Sequence, residues 1–136
     1  MNDCLDNVEF IRSDAFSALE NLTASGEMFD IVIVDPPSFL RTKESLAQAS
    51  KGYRELNLAA IRLLTPGGLL ATFTCSQNMP NETFYGILKQ SCADLNRRSS
   101  ILKRCHQSED HPIVRGIPET DYLKGYFLKI DQAEPK

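Results

Sequence analysis

The run from Phe29 to Phe39, Phe-Asp-Ile-Val-Ile-Val-Asp-Pro-Pro-Ser-Phe, constrains the fold of this chain more than any other stretch. Ile31 to Val34 is β-branched throughout, the pattern of a central strand covered on both faces by helices. Asp35 then ends the strand, and Pro36-Pro37 cannot continue it. A carboxylate is thereby held at the carboxyl end of a strand, which is where open α/β sheets carry out chemistry. The fixed backbone beyond it aims carbonyl groups outward, an arrangement suited to gripping the polar edge of a planar ring.

The remaining elements fall around this strand. Val8 to Ile11 alternates and reads as a short strand, after which Asp14 can cap a helix whose apolar face is Phe16, Leu19 and Leu22, ended by Ser25-Gly26. From Glu44 to Leu64 apolar residues recur at three-and-four spacing, which predicts one long amphipathic helix stopped by Thr65-Pro66-Gly67-Gly68. Leu69 to Thr74 is a strand, and Phe84, Ile87, Leu88, Cys92 and Leu95 mark a helix after Asn81. Ser99 to Cys105 and Tyr122 to Ile130 are further strands, joined by a long polar connection containing Pro112 and Pro118. The order implies an α/β fold with a mostly parallel sheet, an antiparallel final strand and helices on both faces.

At 136 residues the chain suits a single domain, residues 1–136. No apolar run approaches the roughly 20 residues of a membrane span, and the amino-terminal residues lack a basic region followed by an apolar one, so a cytoplasmic protein without membrane partners is expected. Cys4, Cys75, Cys92 and Cys105 are scattered, with no Cys-x-x-Cys pair, which points to reduced thiols and to no metal. The net charge of −3 excludes a strongly basic nucleic-acid clamp, so any RNA contact must be local. Cys75, between Thr74 and Ser76 at the carboxyl end of a strand, is the thiol placed to act as a nucleophile. Cys4, Cys92 and Cys105 read as small apolar residues.

Taken together, Asp35-Pro36-Pro37-Ser38-Phe39, Lys51-Gly52-Tyr53-Arg54-Glu55-Leu56-Asn57, Pro66-Gly67-Gly68, Thr74-Cys75-Ser76, Asp110-His111-Pro112 and Tyr122-Leu123-Lys124-Gly125 resemble the bacterial large-subunit ribosomal RNA cytosine-5 methyltransferases, of the class I S-adenosylmethionine-dependent superfamily. The resemblance runs from about Val8 to Ile130. It implies a partial Rossmann-like methyltransferase fold, S-adenosyl-L-methionine as cofactor and ribosomal RNA as partner. It also implies that Cys75 attacks carbon 6 of cytosine while Asp35 holds or protonates the pyrimidine edge. By position in the same family, Asp14, Ala15, Phe16, Asp35 and Pro36 face the cofactor, and Asp14 serves equally well as a helix cap. Pro37, Ser38, Phe39, Lys51 and Arg54 are the candidate substrate contacts, within a segment that Arg41 and Lys43 make locally basic. His111 reads as a surface loop residue, and Lys124 as a phosphate contact or part of the last strand's packing.

The chain departs from that family in two respects. It has no Gly-x-Gly-x-Gly loop and no acidic residue after it for the cofactor ribose, and it has no small RNA-binding domain ahead of the catalytic one. The expectation is therefore the carboxyl-terminal part of a catalytic domain, with weak cofactor binding, little activity alone and self-association through an unpaired sheet edge. Two other readings remain: methylation of a base amino group, which needs Asp35 but not Cys75, and a non-catalytic fragment acting through packing or subunit contact.

Overall fold

The structure is a computed structural model that describes residues 7–40 and 45–132. Its elements run α1 (Ala15–Ser25), β1 (Phe29–Val34), α2 (Leu46–Arg62), β2 (Leu64–Thr74), α3 (Asn81–Asp94), β3 (Arg97–Cys105) and β4 (Lys124–Gln132), with a 3-10 turn at Pro118–Thr120 before the last strand. The four strands form one sheet in the order β1-β2-β4-β3. β1 and β2 pair in parallel, and β4 enters antiparallel between β2 and β3. The final strand opposes the other three, as expected, but because it sits between β2 and β3 two of the three pairings are antiparallel, and the sheet is mostly antiparallel apart from β1 and β2 instead of mostly parallel.

Local chemistry accounts for the boundaries. Asp14 accepts from the Ser17 backbone N–H at 3.1 Å, capping α1, and Gly26 closes it in the left-handed conformation at φ 76°. α2 ends at Arg62, and the chain enters β2 at once. Leu64 pairs with Phe29 before the register jumps to Ile31 opposite Leu69, so Thr65-Pro66-Gly67-Gly68 forms an irregularity inside the strand and not a separate turn. Gly67 takes φ 81° there, and a side chain on Gly68 would meet the Thr65 carbonyl at 2.9 Å, which is why small residues stand at both positions.

The core lies on one face of the sheet. Val34, Leu70, Tyr126, Leu128 and Ile130 pack against Tyr53, Leu56, Ala60 and Ile61 of α2 and Phe84, Ile87 and Leu88 of α3, with Phe16 and Leu19 of α1 at its margin. Tyr53 stands at its centre, fully buried, with ring centroids 4.8 Å from Phe39 and 5.6 Å from Phe84. No described helix covers the opposite face, where Ile31 is 53% and Ile33 68% exposed.

Three further expectations are corrected. Val8–Ile11 is not a strand: it pairs with nothing described, and Phe10 is 86% exposed. Alternation over four residues cannot hold a strand without a neighbour to supply its hydrogen bonds. β1 is an edge strand and not a central one, and the helices pack on one face instead of two. The β-branched run encodes burial on both sides, but the described residues supply only one of the two covers.

Candidate active site at the carboxyl ends of the parallel strands

β1 and β2 end side by side. Val34 lies opposite Thr72, so Asp35 leaves the sheet next to the segment that leads through Thr74 to Cys75. Asp35 is exposed, and Cys75 is a partly exposed free thiol. Neighbouring strands are about 4.8 Å apart, which puts both residues on one rim of the sheet. On the other side of β2, Lys124 opens β4 opposite Thr74 and joins the same rim.

A network of hydroxyls locks the two loops together. Thr74 Oγ1 donates to the Tyr53 hydroxyl at 2.7 Å, and Ser76 Oγ lies 3.0 Å from that hydroxyl and 2.7 Å from Ser38 Oγ. Ser38 also reaches the Leu40 carbonyl at 3.0 Å, and the Ser76 backbone N–H donates to Thr74 Oγ1 at 3.2 Å. Tyr53, Thr74 and Ser76 are buried, so each hydroxyl needs a partner within the protein, and each finds one in the others. The loop after Asp35 and the turn holding Cys75 are consequently one rigid unit anchored on α2. The sequence did not point to Tyr53, Thr74 or Ser76 as site residues. The apolar periodicity that placed Tyr53 on the buried face of α2 says nothing about where its hydroxyl goes.

Lys124 ties in the third strand. Its ammonium donates to the Ser76 carbonyl at 3.3 Å and to the Tyr122 carbonyl at 3.5 Å. Burial pushes its pKa down, and the nearby Asp121 carboxylate opposes that shift. Gly125 is required beside it, because a methyl group there would overlap the Phe73 ring. The long connection between β3 and β4 is fastened over this rim by Gln77 Nε2, which donates to the Glu119 carbonyl at 3.1 Å.

Asp14, Ala15, Phe16, Asp35 and Pro36, the five residues expected around the cofactor, line one cavity of about 390 Å³ together with Leu19, Val32 and Phe39. Pro37 lies on the same wall. The cavity is mostly apolar with carboxylates at two points, within the roughly 300–1,000 Å³ range of small-molecule sites, and its two acceptor groups fit a planar heterocycle carrying an amino group. Among the expected substrate contacts, Phe39 and Lys51 border a second, more open cavity with Gly52 and Glu55, and Lys51 pairs with Glu55 at 3.8 Å. Ser38 is committed to the hydroxyl network. Arg54 is bound to Asp94 of α3, and so holds two helices together instead of facing the rim. His111 is exposed beside Asp110, whose carboxyl is held low chiefly by the Ser108 hydroxyl and then by His111. Arg41 and Lys43 lie outside the described residues.

An open sheet with a carboxylate and a thiol at adjacent strand ends, beside a mostly apolar cavity, fits an S-adenosylmethionine-dependent methyltransferase, and the chain resembles that class. Curated proteins similar to it include the ribosomal RNA large subunit methyltransferase I of Yersinia pseudotuberculosis serotype O:1b, 41% identical over 126 residues, and that of Yersinia pestis, 40% identical over the same length. These alignments cover 93% of this chain and 32% of each relative, so the chain spans about one third of the length of the curated proteins it matches. Among solved structures, SMU.776, assigned as a methyltransferase and crystallised with SAH, superimposes with a TM-score of 0.71 at 26% identity, covering 86% of this chain and 30% of that one. NSun6 from Pyrococcus horikoshii shares the fold, with a TM-score of 0.58 at 20% identity over 94% of this chain and 35% of that one. No protein-family model matches the chain. No described helix is long and apolar enough to cross a membrane.

Proposed function

We propose that this chain is the carboxyl-terminal part of the catalytic domain of an RNA methyltransferase that modifies carbon 5 of a cytosine in large-subunit ribosomal RNA, in the cytoplasm. The observation that carries the reading is the placement of Asp35 and Cys75 at the carboxyl ends of two adjacent parallel strands, tied together through Ser38, Ser76 and Tyr53. The high similarity to the ribosomal RNA methyltransferases of Yersinia supports ribosomal RNA as substrate.

In this reading the Cys75 thiolate adds to carbon 6 of the ring, which pushes negative charge toward the ring's nitrogen edge. Asp35 stands at that edge, where a polar partner holds the ring in place as the charge develops. Asp14, Ala15, Phe16, Asp35 and Pro36 would hold S-adenosylmethionine, which would supply the methyl group for carbon 5. Loss of the carbon-5 proton to solvent then lets the ring expel Cys75 and recover its aromaticity. Pro37, Ser38 and Phe39 shape the wall against which the base lies, and Lys51 borders the approach to it. A base reaching Cys75 must first leave its stack.

Asp14 and Asp35 are the two charged groups that line the cofactor cavity, and a single hydrogen bond contributes about 0.5–1.5 kcal/mol net. Cofactor binding by this chain alone is accordingly weak. The bare edge of β1 also favours pairing with a further strand, supplied by another copy when no other segment is present. The function is tested by replacing the matching third of the Yersinia relative with this chain. The chimera methylates large-subunit ribosomal RNA at cytosine carbon 5, and Cys75→Ala abolishes it. Methylation that survives Cys75→Ala, or falls on a base amino group, contradicts the proposal.

A further inference from the structure

A third cavity, of about 300 Å³, opens on the same rim of the sheet, beyond Lys124 and away from Asp35. Arg104 and His106 from the end of β3 line it, with Lys124 from the start of β4 and Asn81 from the first turn of α3. Arg104 lies opposite Tyr126, and Lys124 is two residues before Tyr126, so both stand on the face that carries α3. Tyr126 donates to Asn81 Oδ1 at 2.9 Å and fixes the floor between them. Asp121 is the one acid among the lining residues, so positive charge is in excess here although the chain as a whole carries −3.

The charges of β3 are not interchangeable. An edge strand rich in Arg and Lys is a common guard against unwanted pairing, and Arg97, Arg98, Lys103 and Arg104 fit that description. Arg97, however, is spent on the Leu64 carbonyl at 3.3 Å, and Arg98 also has a partner. Arg104 and His106 have no hydrogen-bond or ion-pair partner among the described residues, and both border a cavity. Lys124 is held at its mouth by the Ser76 carbonyl, one residue from Cys75.

We propose that the cavity of Arg104, His106 and Lys124 binds a phosphodiester of the RNA strand next to the nucleotide presented to Cys75. The proposal rests on the RNA reading above and adds to it where the strand runs. From β2 across β4 to β3 is two strand spacings, about 10 Å, so a nucleotide at Cys75 brings the neighbouring backbone within reach. A planar guanidinium suits a phosphate through paired N–H donors, and the amino-terminal turn of α3 adds a favourable dipole. The site also answers how an acidic chain holds a polyanion: the positive charge is concentrated where the strand must pass.

The test follows the backbone amides of the 136-residue chain by NMR during titration with a short single-stranded RNA, and separately with inorganic phosphate. RNA is expected to shift Asn81, Cys105, His106, Lys124 and Gly125. The Arg104→Gln/His106→Gln double variant is expected to weaken binding at least five-fold and to reduce the slope of log affinity against log salt by about 0.7–1. Arg104→Lys keeps the charge and recovers most of the affinity. Unchanged spectra outside the substituted positions establish that the variants fold. Shifts confined to Asp35–Phe39 and the Cys75 turn, no RNA binding, or phosphate alone binding as tightly as RNA would each overturn the proposal. Methylation by the chimera is read independently, so loss of this site leaves the methyltransferase reading standing, and an inactive chimera does not remove the site.

Discussion

Replacing Tyr53 by phenylalanine removes a single oxygen from the middle of the rim. That oxygen accepts from Thr74 Oγ1 at 2.7 Å and lies 3.0 Å from Ser76 Oγ, in a position with no access to solvent. Ring packing against Phe39 and Phe84 is retained, so the loss is polar only. Two hydrogen bonds at about 0.5–1.5 kcal/mol each give roughly 1–3 kcal/mol. Thr74 Oγ1 is left without an acceptor for its proton, which places the expected value in the upper half of that range, whereas Ser76 keeps Ser38. With a urea slope of about 1–3 kcal/mol per molar, the unfolding midpoint falls by about 1 M. Because the same hydroxyl joins the two loops, alkylation of Cys75, located by peptide mass spectrometry, accelerates in the variant under native conditions. A midpoint unchanged within error, or a destabilised variant whose Cys75 reacts at the wild-type rate, would refute the claim that this network positions the thiol.

Gly125→Ala forces a methyl group into the Phe73 ring and lowers stability by about 1–3 kcal/mol in urea unfolding, while Gly86→Ala, where an added methyl meets nothing within 4 Å, does not. The Asp94 carboxyl is held below its ordinary range chiefly by Gln90, with Arg54 contributing. Its share of stability is present above the unfolded carboxyl pKa of about 3.9 and is lost as pH falls through the lower folded value, so wild type should lose stability below about pH 4 more steeply than Asp94→Asn. Sedimentation velocity of the wild-type chain should show concentration-dependent association that Ile33→Lys, on the open face of the edge strand, suppresses; a monomer at every concentration would contradict pairing at β1.

How far the sequence reaches can be followed residue by residue. Asp14 at the head of α1, Gly26 at its end and the apolar stripe of α2 act through contacts close in sequence, and each is where local chemistry puts it. The strand ends carrying Asp35 and Cys75 are legible for the same reason, since β-branched runs and prolines mark them. What the sequence hides depends on partners distant along the chain. Val8–Ile11 has the alternation of a strand but no neighbour, and β1 has the composition of a central strand at an edge. Arg54 looks like one more cation in a basic segment until α3 brings Asp94 to it. Tyr53, Thr74, Ser76 and Ser38 are brought together only when two loops and a helix close on one another, and no spacing rule records that.

The most direct measurement of the central claim uses RNA carrying 5-fluorocytidine at the target, incubated with the chimera and S-adenosylmethionine. Fluorine at carbon 5 blocks the proton loss that releases the enzyme, so the reaction stops with the protein attached to the ring. Mass spectrometry of the digested complex should find the nucleotide bound through Cys75. An adduct on Cys4, Cys92 or Cys105, or methyl transfer with no adduct, would contradict Cys75 as the nucleophile.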